Sequence, residues 1–129
     1  MDDAGLVERY RSCLACVLPS VATDWKGRTT QVAELLGLVV LESMACGRPA
    51  VVSRTTSLPE LVDEGHTGFI VPPGDPVALR SRLQQLRADP GLANVMGTAA
   101  RAAVLKQFTW DATARRCLTA YERAVRLEA

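Results

Sequence analysis

The sequence predicts an α/β fold in which a small parallel sheet is flanked by helices. Three short apolar segments, at 14–18, 50–53 and 68–71, are predicted strands. Helical patterns separate them, and strands this apolar are typical of a parallel sheet that is covered on both faces. A sheet of only three strands leaves edges that need a neighbour. We therefore expect the chain to be part of a larger fold.

Length and composition are those of one ordinary domain. The chain has 129 residues, 48% of them hydrophobic, which is enough for a core. Fifteen basic residues balance fourteen acidic ones and are interspersed with them, so no nucleic-acid footprint is visible. There is no apolar run of about 18 residues and no signal-peptide pattern, which predicts a cytoplasmic location. Peripheral membrane association through regions outside the chain stays compatible with this composition.

One helix is predicted before the first strand, and a second helix and a single helical turn are predicted between the strands. The first helix begins at the aspartate pair at 2–3 and ends near residue 12. A long polar loop over Ser20 to Ala33 follows the first strand. An apolar helix comes next and is closed by Gly47, and Leu58 to Val62 forms the single turn.

Three further helices complete the chain, and each has a recognisable start. Asp75 with Pro76, Asp89 with Pro90, and Thr109 are N-terminal signals. Apolar residues at intervals of three and four predict which side chains pack inwards. The candidates are Leu79, Leu83 and Leu86 in the first helix, Leu92, Met96, Ala99 and Ala103 in the second, and Trp110, Leu118, Tyr121 and Val125 in the third.

The apolar helix carries a glutamate among its apolar residues. On a helical wheel Glu42 falls between Leu38 and Cys46, and apolar residues surround the axis, so the helix is expected to be buried. A buried carboxylate is costly unless something hydrogen-bonds to it. From position alone, the hydroxyls of a ligand and a structural partner (an arginine or a backbone amide) are equal alternatives. A second glutamate, Glu34, stands just before the helix.

The four cysteines do not form a recognisable metal or redox site. Cys13 and Cys16 make a C-x-x-C, but this pair runs into a predicted strand, and His66 is the only histidine. Zinc would need two further ligands. Small buried hydrophobes are therefore the favoured interpretation for Cys13, Cys16, Cys46 and Cys117, and no metal ligand is predicted.

Several motifs in a fixed order resemble a known enzyme family. They are V-L-P-S at 17–20, E-L-L-G-L-V-V-L-E-S-M-A-C-G-R-P-A-V-V-S at 34–53, L-P-E-L-V at 58–62, G-H-T-G-F-I-V-P-P-G-D-P at 65–76 and F-T-W at 108–110. This order resembles the C-terminal part of retaining, nucleotide-sugar-dependent glycosyltransferases of the GT-B fold, and the second block is similar to their E-x(7)-E motif. The resemblance implies a partial Rossmann-like parallel sheet, the C-terminal half-domain of that fold. It also implies that the N-terminal acceptor domain and the first strands of this domain lie outside residues 1–129.

The resemblance implies a function for the full-length protein. It would transfer a sugar from a nucleoside diphosphate sugar to a glycan, lipid or small-molecule acceptor with retention of configuration. No metal or other cofactor is expected, in keeping with the absence of a D-x-D motif. The 129-residue chain alone is expected to be inactive. One alternative is a non-catalytic nucleotide-sugar-binding or interaction module that pairs with a separate partner half, and a weaker one is a sugar-nucleotide epimerase.

The resemblance also implies roles for individual residues. Glu42 would accept charge-assisted hydrogen bonds from the ribose hydroxyls of the donor. Glu34 would be the catalytic carboxylate, beside the transferred sugar and its positively charged anomeric carbon, and an exposed loop acid is the alternative. The backbone N–H groups of Leu36, Gly37 and Leu38 begin the helix and would donate to phosphate or sugar oxygens.

The chain departs from the family pattern in three places. Leu35-Leu36 replaces a frequent Gly-Phe, and Thr56-Ser57 replaces a Gly-Gly, so sugar selectivity and the local turn are expected to differ. The basic residues that clamp the diphosphate in the family belong to a segment upstream of residue 1. Three basic residues are candidate substitutes, although solvated charges are the favoured interpretation for each: Lys26, Arg28 and Arg54.

Overall fold

Helices and strands alternate along the chain as predicted. The computed structural model describes residues 2–30 and 34–127, so the end of the predicted 20–33 loop lies outside the described residues. In chain order, the elements of the described part are α1 (Asp3–Ser12), β1 (Cys16–Leu18), α2 (Leu38–Ala45), β2 (Ala50–Ser53), α3 (Leu58–Leu61), β3 (Gly68–Val71), α4 (Pro76–Ala88), α5 (Pro90–Gln107) and α6 (Trp110–Leu127).

The three strands form one parallel sheet in the order β1-β2-β3, which confirms the predicted fold class. Val17 lies opposite Val51, and Val51 lies opposite Phe69. Strand β1 begins two residues later than predicted, because its partner β2 begins only at Ala50. The Cys16 N–H donates to the carbonyl of Pro49 at 3.0 Å, at the point where pairing starts.

Strand β2 is fully buried and β3 nearly so, whereas Val17 of the edge strand β1 is exposed, contrary to the expectation that every strand is covered on both faces. Side chains of β2 alternate, so that Val51 packs on one face while Ala50 and Val52 pack on the other. Helices α2, α3 and α5 cover one face, and helix α4 with the start of α5 covers the other. The two cores are Val40, Met44, Ala50, Val52, Leu58, Val62, Ala100 and Val104 on the first face, and Val51, Phe69, Val71, Leu86, Ala93 and Met96 on the second.

Capping residues mark the helix ends where they were predicted. The Asp75 carboxylate accepts hydrogen bonds from the N–H groups of Val77 and Ala78, and Asp89 accepts from Leu92. In the predicted packing face of α5, Met96 is buried, but Ala99 and Ala103 are only half-buried. Gly97 is buried in their place. A Cβ at Gly97 would overlap the carbonyl of Gly47, so the missing side chain allows α5 to approach α2 closely.

Helix α2 is not buried on every face, contrary to the prediction. Val40, Ser43 and Met44 are buried against the sheet and α5, whereas Leu38, Val39 and Glu42 are exposed. A helical wheel shows that apolar residues surround an axis, but it cannot show how many neighbours the helix has. In the described part of the chain, no element covers the side of α2 that carries Leu38 and Val39.

Helix α6 begins as predicted but packs differently. The Thr109 hydroxyl accepts a hydrogen bond from the Ala112 N–H at 3.2 Å, which caps the helix. Its four predicted packing residues are 61–90% exposed: Trp110, Leu118, Tyr121 and Val125. Ala112 is buried instead, and at 100° per residue it lies about 200° around the axis from Trp110. The apolar face therefore points away from the rest of the chain.

No helix within residues 2–30 and 34–127 is long and apolar enough to cross a bilayer.

Candidate functional site

Glu34 folds back over the start of helix α2. Its Oε1 accepts hydrogen bonds from the N–H groups of Leu35 and Gly37, each at 3.1 Å. The side chain is half-buried, so it is neither a fully exposed loop acid nor a core residue. No described residue donates to Oε2, so one oxygen of Glu34 is left for another partner.

Gly37 is the N-cap residue of α2. It has φ +62°, in the left-handed region, and its carbonyl accepts the first helical hydrogen bond, from Val40 at 2.9 Å. A Cβ at this position would lie 2.8 Å from Leu58 Cδ2 and 2.9 Å from Leu61 Cδ1. Helix α2 begins at Leu38, where the sequence predicted it, because only glycine fits this conformation and this space.

The start of α2 is open. A cavity of about 310 Å³ is lined by residues 34–39. The N–H groups of Leu36 and Leu38 have no acceptor among the described residues, whereas the Gly37 N–H is taken by Glu34. Leu38 is the first residue of α2, so its N–H lies at the helix N-terminus, where the helix dipole favours an anion. Leu36 precedes the N-cap Gly37, so the prediction that its N–H begins the helix is wrong.

Glu42 lies further along the same helix and is exposed, so the prediction of a buried carboxylate is wrong. Its Oε2 accepts a hydrogen bond of 2.8 Å from the Tyr10 hydroxyl. No other described residue donates to this carboxylate. The partner is therefore neither the arginine nor the backbone amide that the sequence suggested. Tyr10 was missed because it stands 32 residues away on α1, and no local pattern marks such a contact.

The phenol of Tyr10 is held in its neutral form. Partial burial, together with the hydrogen bond to Glu42, raises the pKa of Tyr10 to about 12. Because folding raises this pKa, the neutral phenol of Tyr10 contributes to the stability of the fold. That contribution is complete below pH 10 and is lost as the pH rises towards 12. Tyr10 is therefore a hydrogen-bond donor to Glu42 throughout the neutral range.

The turn before α3 is strained where the chain departs from the family pattern. Thr56 has φ +45° and is the one non-glycine residue of the described part with a positive φ. For a β-branched residue this is an outlier. The turn lies against the site, because the Ser57 hydroxyl donates to the Leu35 carbonyl at 2.5 Å. A glycine would meet this backbone requirement without strain.

Replacing Thr56 with Gly is expected to raise the free energy of unfolding by about 0.5–1 kcal/mol. Left-handed strain of about 1–2 kcal/mol is removed, and roughly 0.5–1 kcal/mol of glycine flexibility is added. Urea denaturation followed by circular dichroism measures the change. The matched control is Thr55→Gly, at an ordinary φ, which is expected to destabilise. Equal destabilisation by both changes would show that Thr56 is not strained.

The three basic residues that are candidates for binding the diphosphate either contact residues of their own loop or are exposed to solvent. Arg28 forms an ion pair with Asp24 at 2.7 Å, and hydrogen bonds from the backbone and side chain of Arg28 lower the pKa of Asp24. Lys26 lies over the Trp25 ring at 4.7 Å from the ring centroid. Arg54 is exposed. None of the three cations contacts the Glu34–Val39 cavity, which agrees with their interpretation as solvated charges.

The cysteines are free thiols and are less buried than predicted. Cys13, Cys16 and Cys46 are half-buried, and Cys117 is exposed because α6 turns its apolar face outwards. Burial raises the pKa of the Cys16 thiol. Within residues 2–30 and 34–127, no group of three or more His, Cys, Asp or Glu side chains is arranged to hold a metal ion.

Comparison with known proteins identifies the family. A family model described as glycosyl transferases group 1 matches residues 1–103. The chain belongs to this family. Among its relatives, the D-inositol 3-phosphate glycosyltransferase of Streptomyces bingchenggensis (strain BCW-1) is 34% identical over 94% of the chain. The N-acetyl-alpha-D-glucosaminyl L-malate synthase of Bacillus anthracis is 40% identical over 58% of it. The chain spans 24% and 20% of these relatives, about a quarter of their length or less.

Solved structures agree with the family assignment. The sucrose-phosphate synthase of Thermosynechococcus elongatus superposes on 98% of the chain with a TM-score of 0.75 and 31% identity, and the match covers 29% of that protein. The Anabaena HepE protein, solved with UDP and glucose, shares the fold with a TM-score of 0.65 at 21% identity, over 92% of the chain and 29% of its own. These neighbours are GT-B glycosyltransferases, so the chain has the fold of that class.

Proposed function

We propose that this chain is the donor-binding part of a retaining glycosyltransferase. The full-length protein would move a sugar from a nucleoside diphosphate sugar to a glycan, lipid or small-molecule acceptor. The observation that carries the proposal is the open start of α2, where free N–H groups and Glu34 line one cavity of about 310 Å³. Membership of the group 1 family and the spacing of Glu34 and Glu42 support it.

Each part of the donor has a matching group in this proposal. The N–H groups of Leu38, at the positive end of the helix, and of Leu36, just before it, would donate to phosphate or sugar oxygens. Glu42 would accept from the ribose hydroxyls through charge-assisted hydrogen bonds. Glu34 would use Oε2, to which no described residue donates, beside the anomeric carbon, where a carboxylate stabilises positive charge in the transition state. Gly37 would contribute by placing the helix start rather than by donating, because Glu34 already accepts its N–H.

No residue is proposed to bind a metal ion, and no nucleic-acid partner is proposed. Metal independence is proposed from the absence of a D-x-D motif in the sequence. The donor is proposed only as a class, because proteins similar to this chain differ in the nucleotide of their donors. One is a GDP-mannose-dependent mannosyltransferase of Mycolicibacterium smegmatis, and HepE has been solved with UDP-glucose. We also propose a cytoplasmic location for the protein.

A panel of UDP-, GDP- and ADP-sugars tests the proposed function in the full-length protein. Release of the nucleoside diphosphate is measured, and proton NMR of the product gives the anomeric configuration. We expect release with at least one donor and retention at the anomeric carbon. An inverted product would contradict the proposed stereochemistry. Failure to bind or turn over any donor would favour the alternative of a non-catalytic module.

The 129-residue chain by itself is expected not to transfer sugar. Holding an acceptor against the anomeric carbon is worth several kcal/mol of barrier, and we propose that other parts of the longer protein supply it. In the open cavity water screens Glu34 and competes for each hydroxyl contact, so nucleotide binding is expected at roughly millimolar affinity. The same assay of nucleoside diphosphate release, applied to the isolated chain, measures its turnover. Sustained turnover that Glu34→Ala abolishes would contradict the prediction.

A further inference from the structure

The Glu42 carboxylate has a single tether to the rest of the described chain. An exposed glutamate on a helix can adopt several side-chain conformations. Here the Tyr10 hydroxyl donates to Oε2 at 2.8 Å and selects one of them. Oε1 receives no hydrogen bond from any described residue. The carboxylate is therefore oriented with one oxygen occupied and the other open.

The tyrosine that makes this contact is itself firmly placed. Tyr10 lies in the last turn of α1, and its carbonyl accepts hydrogen bonds from the N–H of Cys13 and from Cys13 Sγ at 3.1 Å. The carbonyl of the next residue, Arg11, accepts a hydrogen bond from the guanidinium of Arg48, which lies three residues after the end of α2. A second hydrogen bond therefore joins α1, which carries Tyr10, to the segment that follows α2, which carries Glu42.

We propose that Tyr10 is a positioning residue for the donor site: its hydroxyl holds the Glu42 carboxylate in the orientation that accepts hydrogen bonds from the ribose hydroxyls. The inference rests on the proposed function, because it assumes that Glu42 binds ribose. Tyr10 touches no substrate in this scheme. It acts by removing the cost of ordering a mobile carboxylate when the nucleotide arrives. Being neutral up to high pH, the phenol donates under all ordinary assay conditions.

The test compares nucleoside diphosphates with and without ribose hydroxyls, in the full-length protein. Isothermal calorimetry gives the affinity for the nucleoside diphosphate of the active donor and for its 2′,3′-dideoxy counterpart. For Tyr10→Phe we expect ribonucleotide affinity to fall about three- to tenfold. The dideoxy affinity should change by less than about twofold, because it lacks the groups that Glu42 would bind. Tyr121→Phe removes a hydroxyl from an exposed tyrosine on α6 and should change neither.

Three outcomes separate this inference from the proposed function. If Glu42→Gln leaves the preference for ribonucleotide over dideoxynucleotide intact, Glu42 does not bind ribose and the proposed function itself fails at this residue. If Glu42→Gln removes the preference but Tyr10→Phe does not reduce it, only the positioning role is overturned. If Tyr10→Phe weakens both ligands equally, Tyr10 merely joins α1 to α2, and the positioning role is again overturned.

Discussion

Replacing Glu42 with Gln in the full-length protein is expected to weaken binding of the donor nucleotide about ten- to a hundredfold. The change removes a charged acceptor for two hydroxyls, which costs roughly 1.5–3 kcal/mol. The fold should survive, because Glu42 is exposed and an amide oxygen can still accept from Tyr10. Calorimetric titration with the nucleoside diphosphate measures the loss.

The matched control for Glu42→Gln is Glu8→Gln. Glu8 is also an exposed glutamate on a helix, and its carboxylate makes no hydrogen bond or ion pair with another described residue. That control should bind the nucleotide as the unmodified protein does. Unchanged affinity in Glu42→Gln would instead assign Glu42 a structural role, as the acceptor that ties α2 to α1 through Tyr10.

Replacing Gly37 with Ala is expected to lower the free energy of unfolding by about 2–5 kcal/mol. A residue with a side chain at φ +62° costs about 1–2 kcal/mol, and forcing a methyl against Leu58 and Leu61 adds roughly 1–3 kcal/mol. Because the start of α2 must then move, nucleotide binding should weaken as well. Chemical denaturation followed by circular dichroism measures the stability change.

Gly74→Ala separates the two costs at Gly37. Gly74 has φ +73°, and a Cβ there would meet nothing within 4 Å. It should therefore show only the conformational cost, about 1 kcal/mol. Equal losses at the two glycines would show that Leu58 and Leu61 move aside freely, and that the close packing around Gly37 contributes little.

Local signals in the sequence predicted most of the fold. Asp75 and Asp89 start helices because their carboxylates bond to N–H groups two or three residues away, and this contact depends on nothing distant. The three parallel strands were equally visible, since apolar residues on both sides of a strand require cover on both faces. The start of α2 was also predicted correctly, because the glycine that precedes it, Gly37, is a local signal.

Tertiary contacts account for what the sequence did not predict. The apolar pattern of α6 was recognised, but a pattern shows that a face is apolar and not which neighbour covers it. Ala112 packs against the rest of the chain, while Tyr121 does not. The same limit applies to Glu42, whose exposure and whose contact with Tyr10 depend on how α1 lies against α2. The roles of Glu34 and Glu42 toward a donor stay predictions.

The outward-facing start of α6 has a spectroscopic consequence. The chain has two tryptophans, and both are almost fully in water, Trp25 at 88% and Trp110 at 90% exposure. Their emission in the folded chain should therefore resemble that of free indole and should change little on unfolding. Intrinsic fluorescence thus says little about the core of this chain. It does make Trp110 a sensitive reporter, because any surface that covers the apolar face of α6 would shift its emission to shorter wavelength.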